Sequence, residues 1–131
     1  MSPIQPAPAD HQLPRGHLLV LNRSFRRTLE AENKSPRTIE AYTDAVRLLA
    51  TYCQAHGNPV LVWDLKRGHV QAFIADQLAR WKPATAHNRY RGLHAFFKWA
   101  VAEGDLEASP MEGMKPPQLP EQPSRWLGPR I

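Results

Sequence analysis

Apolar residues recur at steps of three and four through the middle of the chain, the spacing that places them on one face of a helix. This pattern predicts a first helix over residues 17 to 33 and a second that begins at Ser35 and Pro36 and ends near His56 and Gly57. Ser caps free helical N–H groups well, and Pro suits the first helical position. The residues predicted to face inward are Leu18, Leu21, Phe25 and Leu29 in the first helix and Ile39, Tyr42, Val46, Leu49 and Cys53 in the second.

Two further helices are predicted after a short connector. The apolar run VLVW at residues 60–63 has no partner strand in view, so we interpret it as a packed connector. A third helix is predicted from about residue 66 to 81 and a fourth from about residue 84 to 103, ending at Gly104. The predicted inward residues are Val70, Phe73, Ile74, Leu78 and Trp81, followed by Tyr90, Leu93, Phe97, Ala100 and Val101. The pattern therefore predicts an all-α fold, a compact four-helix bundle.

Proline marks the two ends of the chain. Four of the 13 prolines lie at positions 3, 6, 8 and 14, and six lie from Pro110 onward. Because proline lacks an N–H group and fixes φ, these ends are predicted to be disordered tails. The predicted organisation is a tail over residues 1–16, one domain over residues 17–109 and a proline-rich linker over residues 110–131.

Charge and cysteine content narrow the class of protein. The 131 residues include 17 Lys and Arg against 12 Asp and Glu, a formal charge of +5, which suits an anionic partner such as nucleic acid. The single cysteine, Cys53, excludes an internal disulfide. The sequence shows neither a signal peptide nor an apolar run long enough for a membrane helix, and we expect a cytoplasmic protein.

The fourth helix carries a second stripe, made of basic residues. His87, Arg91, His94 and Lys98 follow one another at helical steps, and Thr85, Asn88 and Arg89 flank them near the helix start. The N–H groups at a helix start favour a phosphate, and Arg, Asn and His can read base edges. This face has two interpretations, a DNA-contacting surface or a merely solvated polar face.

The start of the second helix repeats this theme. Polar and basic residues that could clamp a phosphate gather within about one turn, and a further cation follows on the same helix. These residues are Lys34, Ser35, Arg37 and Thr38, with Arg47 further along. The alternative is an ordinary helix cap beside two exposed cations.

Catalytic and metal chemistry find no support in the sequence. His87 and His94 stand two helical turns apart with an arginine between them, and cations repel a metal ion. Tyr42 and Tyr90 lie on apolar stripes, where core packing is their expected role. We therefore predict no catalytic residue, no metal and no cofactor, and no small-molecule substrate.

Two segments resemble the core-binding domain of tyrosine recombinases, the phage integrase family. SPRTIEAYTDAVRLLATYCQAHG resembles the helix of that domain with the pattern S-x-x-T-x-x-x-Y, and PATAHNRYRGLHAFFKWAVAEGDLEASPMEGMKPPQLPEQP resembles its last helix and exit linker. The second segment matches at Thr85, Asn88-Arg89, Phe96-Phe97, Trp99, Glu103-Gly104 and Ser109-Pro110, although Asn is commoner than Ser before that proline.

The resemblance implies a SAM-like four-helix bundle that presents its second and fourth helices to one face of a recombination half-site. In the family a catalytic domain with an Arg, a His-x-x-Arg motif and a tyrosine nucleophile follows, and none of these motifs is present here. Because residues 125–131 start no helix pattern, we hypothesise a truncated or frameshifted reading frame, which reading the downstream DNA in all frames would test.

These expectations lead to one main function and one alternative. The main one is a non-catalytic module that binds double-stranded DNA and that other recombinase protomers could contact. The alternative is a small helical interaction module that regulates full-length recombinases. An exposed Phe96 or Trp99 would favour the alternative.

Overall fold

A computed structural model describes residues 13–120 of the chain. It contains four α-helices, and no strand is present among these residues. The helices are α1 (Leu18–Ala31), α2 (Pro36–Ala55), α3 (Arg67–Arg80) and α4 (Pro83–Ala102), with a short 3-10 helix at Val62–Asp64 between α2 and α3. The predicted all-α fold is confirmed, with helix bounds within about two residues of those expected. Of the predicted tails over residues 1–16 and 110–131, residues 1–12 and 121–131 lie outside the described residues.

Local sequence signals set the ends of the helices. Ser35 caps α2, because its side chain accepts a hydrogen bond from the backbone N–H of Thr38 at 3.1 Å, and Pro36 is the first helical residue. Pro83 likewise opens α4 and separates it from α3. After α4, Gly104 has φ +89°, a left-handed conformation that glycine adopts without strain.

The core lies between all four helices and is rich in aromatic rings. The rings of Phe25 and Phe96 meet edge to face with centroids 5.4 Å apart, and Phe96 also contacts Phe97. Trp99 is half-buried, and its Nε1 donates to the Thr28 hydroxyl at 3.1 Å. The fully buried large side chains include Leu18, Phe25, Val46, Leu49, Cys53, Val70, Phe73, Leu93, Phe96 and Phe97. Nearly all the inward residues predicted for α1, α2 and α4 therefore reach the core, except that Tyr42 and Val101 are only half-buried.

Helices α2 and α4 form the most extensive helix pair and run antiparallel. Gly92 of α4 lies directly against Tyr42 and Ala45 of α2. Toward the start of α4, Arg89 shares a cleft with Leu48 and Thr51, which come later in α2. The start of α2 therefore lies beside the second half of α4.

The connector between α2 and α3 packs as expected. His17 pairs with Leu61 in an isolated bridge, and the backbone N–H of Leu18 donates to the carbonyl of Val60 at 2.9 Å. Val62 is fully buried, so the apolar run is a packed connector, as predicted.

The burial predicted for the end of α3 is wrong at two positions. Leu78 is 41% exposed and Trp81 is 54% exposed, whereas Gln77 is buried. Val70, Phe73, Ile74 and Gln77 make up the inward face, and Leu78 lies one helical step, about 100°, past Gln77. Trp81 follows the last helical residue with extended φ −131° and ψ 174°, so helical spacing no longer sets its direction.

The chain continues to pack beyond the domain boundary predicted at residue 109. Met111 is 2% exposed and belongs to the core. The Tyr90 hydroxyl donates to the carbonyl of Met114 at 3.0 Å, and the Arg67 guanidinium donates to the carbonyl of Glu112. The segment after α4 therefore closes one side of the bundle.

Within the described residues, no helix combines the length and the apolar character that crossing a membrane requires.

Candidate nucleic-acid interface

The predicted basic stripe on α4 lies on the outer surface of the bundle. Arg91, His94 and Lys98 are exposed and His87 is half-buried. Their side of the helix points outward because Tyr90, Leu93, Phe96, Phe97 and Ala100 are held in the core. From His87 to Lys98 the stripe extends roughly 16 Å along the helix. We call these four residues the α4 stripe.

Negative charge is absent from the helix that carries the α4 stripe. Asp76 and Glu103 are successive acidic residues in the sequence, so α4 contains none. In the described part of the chain, Arg26, Arg47 and Arg80 form ion pairs with carboxylates. Arg91 and Lys98 take part in none of these pairs. The charges of these two cations are therefore available to an anion from outside.

The α4 stripe forms one wall of an open groove. The opposite wall comprises Tyr42 of α2 with Met114 and Pro116 of the segment after α4. The His94 ring stacks on Tyr90 with an interplanar angle of 19° and a centroid distance of 6.2 Å. His94 thus lies beside the groove, against the ring of Tyr90.

The groove continues into an acidic end. His94 and Lys98 also line an adjoining cavity with Glu107 and Glu112, both exposed, and with buried Met111. The second half of the α4 stripe therefore has carboxylates nearby. Its first half, around His87 and Arg91, has none lining the groove.

The three residues predicted to flank the stripe separate in the structure. Asn88 is exposed, and Thr85 is half-buried. Arg89 lies on the other side of α4, where its guanidinium donates to the Gln77 side chain and stands 5.5 Å from the ring centre of Trp81. Burial lowers the pKa of Arg89 from its usual value; of two smaller effects, the charge of Asp44 raises it and the charge of Arg47 lowers it further. Arg89 therefore lies apart from the stripe, because a helix turns about 100° per residue.

The predicted group at the start of α2 is largely exposed, and two of its residues bond to each other in the cap of the helix. Lys34, Ser35 and Arg37 are exposed, and Thr38 is half-buried. The Ser35 hydroxyl donates to Thr38 Oγ1 at 3.0 Å while accepting from the Thr38 N–H. Because α2 and α4 run antiparallel, this group lies at the opposite end of the pair from Thr85 and Asn88. The structure thus does not bring the two predicted phosphate sites together.

Arg47 is exposed, but a carboxylate neutralises part of its charge. Its guanidinium nitrogen Nη2 lies 3.3 Å from Asp44 Oδ1. Such exposed pairs contribute little stability, on the order of 0 to 1 kcal/mol, so a phosphate could replace the carboxylate.

Two potential nucleophiles, Cys53 and Tyr90, are buried, and the ring of a third, Tyr52, packs against a neighbouring ring. Burial raises the pKa of the Cys53 thiol to about 11 and raises the pKa of the Tyr90 hydroxyl above its usual value. The Tyr52 ring stacks on His56 at a centroid distance of 4.0 Å. Between residues 13 and 120, no three or more His, Cys, Asp or Glu side chains gather in a way that could hold a metal ion.

Sequence reasoning missed two features of this surface. One is the far wall of the groove, which Tyr42, Met114 and Pro116 provide from two other parts of the chain. The other is the acidic end at Glu107 and Glu112. The sequence did carry a signal for the acidic end, because residues 77–102 contain no acidic residue and residues 103–112 contain four.

One comparison with known proteins identifies a family. The family model described as phage integrase, N-terminal SAM-like domain, matches residues 21–104, more than half of the chain. The chain belongs to this phage integrase SAM-like family. No curated protein and no solved structure matches it.

The match places the candidate interface within a phage integrase SAM-like domain. It begins at Leu21 in α1 and ends at Gly104 just after α4, so it includes the whole α4 stripe and the start of α2. The segment that supplies Met111 and Met114 follows the matched range. The chain therefore carries a recombinase-related module with the basic stripe inside it.

Proposed function

We propose that this chain binds double-stranded DNA through the α4 stripe, as the DNA-binding module of a site-specific recombinase. The observation that carries the proposal is the stripe itself, an outward helix face with Arg91 and Lys98 exposed and no carboxylate on the helix. Solvated helix faces usually mix positive and negative residues. Membership of the phage integrase SAM-like family supports the same assignment.

The dimensions of the stripe suit a duplex. Its length of roughly 16 Å exceeds the major-groove width of about 12 Å, so its cations can approach phosphates on both sides of that groove. Asn88 is exposed and lies next to His87, where its amide can reach a base edge. Lys34 and Arg37 at the start of α2 and the paired Arg47 add further phosphate contacts in this proposal.

In this proposal the described residues hold DNA and contribute no chemical step. The Tyr90 hydroxyl donates to a backbone carbonyl and is held protonated by burial, and Cys53 is buried in the core. Strand cleavage would therefore depend on groups outside this module. With few phosphates neutralised, we expect non-specific affinity of about 10⁻⁴ to 10⁻⁶ M and a steep salt dependence.

The alternative, a protein-interaction module, receives no support from the residues expected to decide it. Phe96 is fully buried, and Trp99 is half-buried with its indole N–H bonded to Thr28. Neither ring is offered to a partner.

A charge-matched pair of variants tests the proposal. Arg91→Ala with Lys98→Ala lowers the formal charge from +5 to +3, and so does Arg27→Ala with Lys66→Ala, two exposed cations on α1 and just before α3. We expect the first variant alone to lose affinity for a short labelled duplex. Its plot of log affinity against log salt should flatten by about 2, since each neutralised phosphate contributes about 0.9. Fluorescence anisotropy over a salt series measures both quantities.

Circular dichroism checks that both double variants keep their helices. Unchanged affinity in the Arg91 and Lys98 variant would overturn the assignment of the α4 stripe. An equal loss in both variants would mean that overall charge, rather than this helix face, determines binding.

A further inference from the structure

Trp81 is exposed at the junction between α3 and α4. More than half of its surface, 54%, is accessible, although tryptophan is usually well buried in folded domains. Its position is nevertheless fixed, because its backbone N–H donates to the carbonyl of Gln77 at 2.8 Å and Pro83 follows two residues later. The backbone that carries the ring is therefore held in place, and the ring offers an exposed aromatic surface.

Arg89 is held beside this ring by a chain of side chains. Its guanidinium lies 5.5 Å from the ring centre and donates to Gln77, a residue that is only 5% exposed. Gln77 in turn donates to Asp76 at 3.2 Å, and Asp76 pairs with Arg80 at 3.1 Å. An aromatic ring thus carries a positioned cation on one face.

A cleft of about 240 Å³ opens next to the ring. Trp81 and Arg89 line it together with Tyr52 and His56, whose rings stack on each other. The volume is smaller than that of a drug-sized pocket, roughly 300 to 1,000 Å³, and is on the scale of one planar ring system.

The charge around the cleft favours an anion. Arg80 and Arg89 line it, Lys82 follows Trp81 directly in the sequence, and Asp76, the carboxylate in the lining, is engaged in an ion pair with Arg80. Three cations against one carboxylate leave a surplus of two positive charges. An apolar protein partner would not require that surplus, whereas a nucleotide combines a planar base with a phosphate.

We propose that this junction is a second nucleic-acid site that takes an unpaired nucleotide of single-stranded DNA. The base stacks on Trp81, and Lys82 and Arg89 approach the neighbouring phosphates, as in the aromatic platforms of proteins that bind single strands. The site is separate from the duplex surface. Arg89 lies about 140° to 180° around α4 from each residue of the α4 stripe.

Single-ring variants of the full chain test this site. Trp63 provides the matched control, because it is 52% exposed and lines none of this cleft. We expect Trp81→Ala to weaken binding of labelled oligothymidylate by about fivefold to a hundredfold, the range for loss of one base stack. Trp81→Phe should keep an intermediate affinity because it keeps a ring, and Trp63→Ala should bind like the wild type.

Measuring duplex binding distinguishes the single-strand site at Trp81 from the duplex surface on α4. Trp81→Ala should bind duplex as the wild type does. The Arg91→Ala and Lys98→Ala double variant should lose duplex binding, and adding Trp81→Ala to it should still weaken the binding of oligothymidylate. An unchanged affinity of Trp81→Ala for oligothymidylate, or an equal loss in Trp63→Ala, would overturn the site.

Two further measurements can overturn it. Thymidine monophosphate that binds as tightly as the oligonucleotide would assign the cleft to free nucleotides instead of a strand. Sedimentation that shows self-association lost in Trp81→Ala, with single-strand affinity unchanged, would assign the exposed ring to contact with another chain.

Discussion

Gly92 sets the distance between the two helices that carry the candidate interface. A Cβ atom at this position would lie 2.9 Å from the Cβ of Ala45 and 3.1 Å from the Cα of Tyr42. The second of these atoms belongs to the backbone of α2, so rotation of a side chain cannot relieve the contact. The close approach of α2 and α4 therefore depends on the absence of one side chain.

Gly92→Ala should destabilise the bundle. Alanine gains about 1 kcal/mol of helix propensity, but separating packed helices costs about 1 to 3 kcal/mol, so the free energy of unfolding should fall by up to about 2 kcal/mol. Urea denaturation measures the change. Gly68 in α3 is the control, because a Cβ there meets no atom within 4 Å. Gly68→Ala should be neutral or stabilising, and an equal gain in both variants would contradict the packing argument.

At the scale of the element, α4 carries two arginines with different roles. Arg91 is exposed on the α4 stripe, and Arg89 lies on the opposite side, bonded to buried Gln77. In the sequence the two stand two residues apart and look alike. Their roles separate because two residues correspond to about 200° of helix rotation.

Single substitutions should therefore affect different properties. Arg89→Ala leaves the side-chain oxygen Oε1 of Gln77 without its donor and should lower the free energy of unfolding by about 1 to 3 kcal/mol, with duplex affinity nearly unchanged. Arg91→Ala should lower duplex affinity and leave stability within about 0.5 kcal/mol of the wild type. Urea denaturation and duplex titration of both variants check this. An equal loss of duplex affinity in both variants would mean that Arg89 also contacts the duplex.

At the scale of the whole molecule, the segment after α4 completes the core. Met111 is buried among the helices, and the carbonyls of Glu112 and Met114 accept hydrogen bonds from Arg67 and Tyr90. This segment contacts both α3 and α4, and it also contributes to the far wall of the groove beside the α4 stripe. The stability of the bundle and the shape of the candidate interface are therefore linked.

Met111→Ala should cost about 2 to 5 kcal/mol of unfolding free energy, the range for removing a buried methionine side chain. Thermal unfolding followed by circular dichroism measures it. Leu119→Ala is the control, because Leu119 is 51% exposed and should leave the melting temperature unchanged. A melting temperature for Met111→Ala equal to that of the control would mean that the segment does not stabilise the bundle.

The helices, most of the core and the existence of a basic face were predictable from the sequence. These features depend on local rules: apolar residues at helical spacing in Leu18, Leu21, Phe25 and Leu29, a Ser-Pro helix start, and cations without acids along α4. Such rules act within one helix, so a single chain segment contains the necessary information. The α4 stripe was predictable for this reason.

The neighbours that each side chain meets depend on the packing of the folded chain. Leu78 and Trp81 are exposed, Gln77 is buried and Arg89 stacks on Trp81 because α3 and α4 meet at a junction whose geometry periodicity does not describe. Met111 belongs to the core because the chain folds back after α4, although its surroundings in sequence suggest a linker. The groove and the cleft both arise between distant segments, whose contacts depend on the packing of the whole bundle.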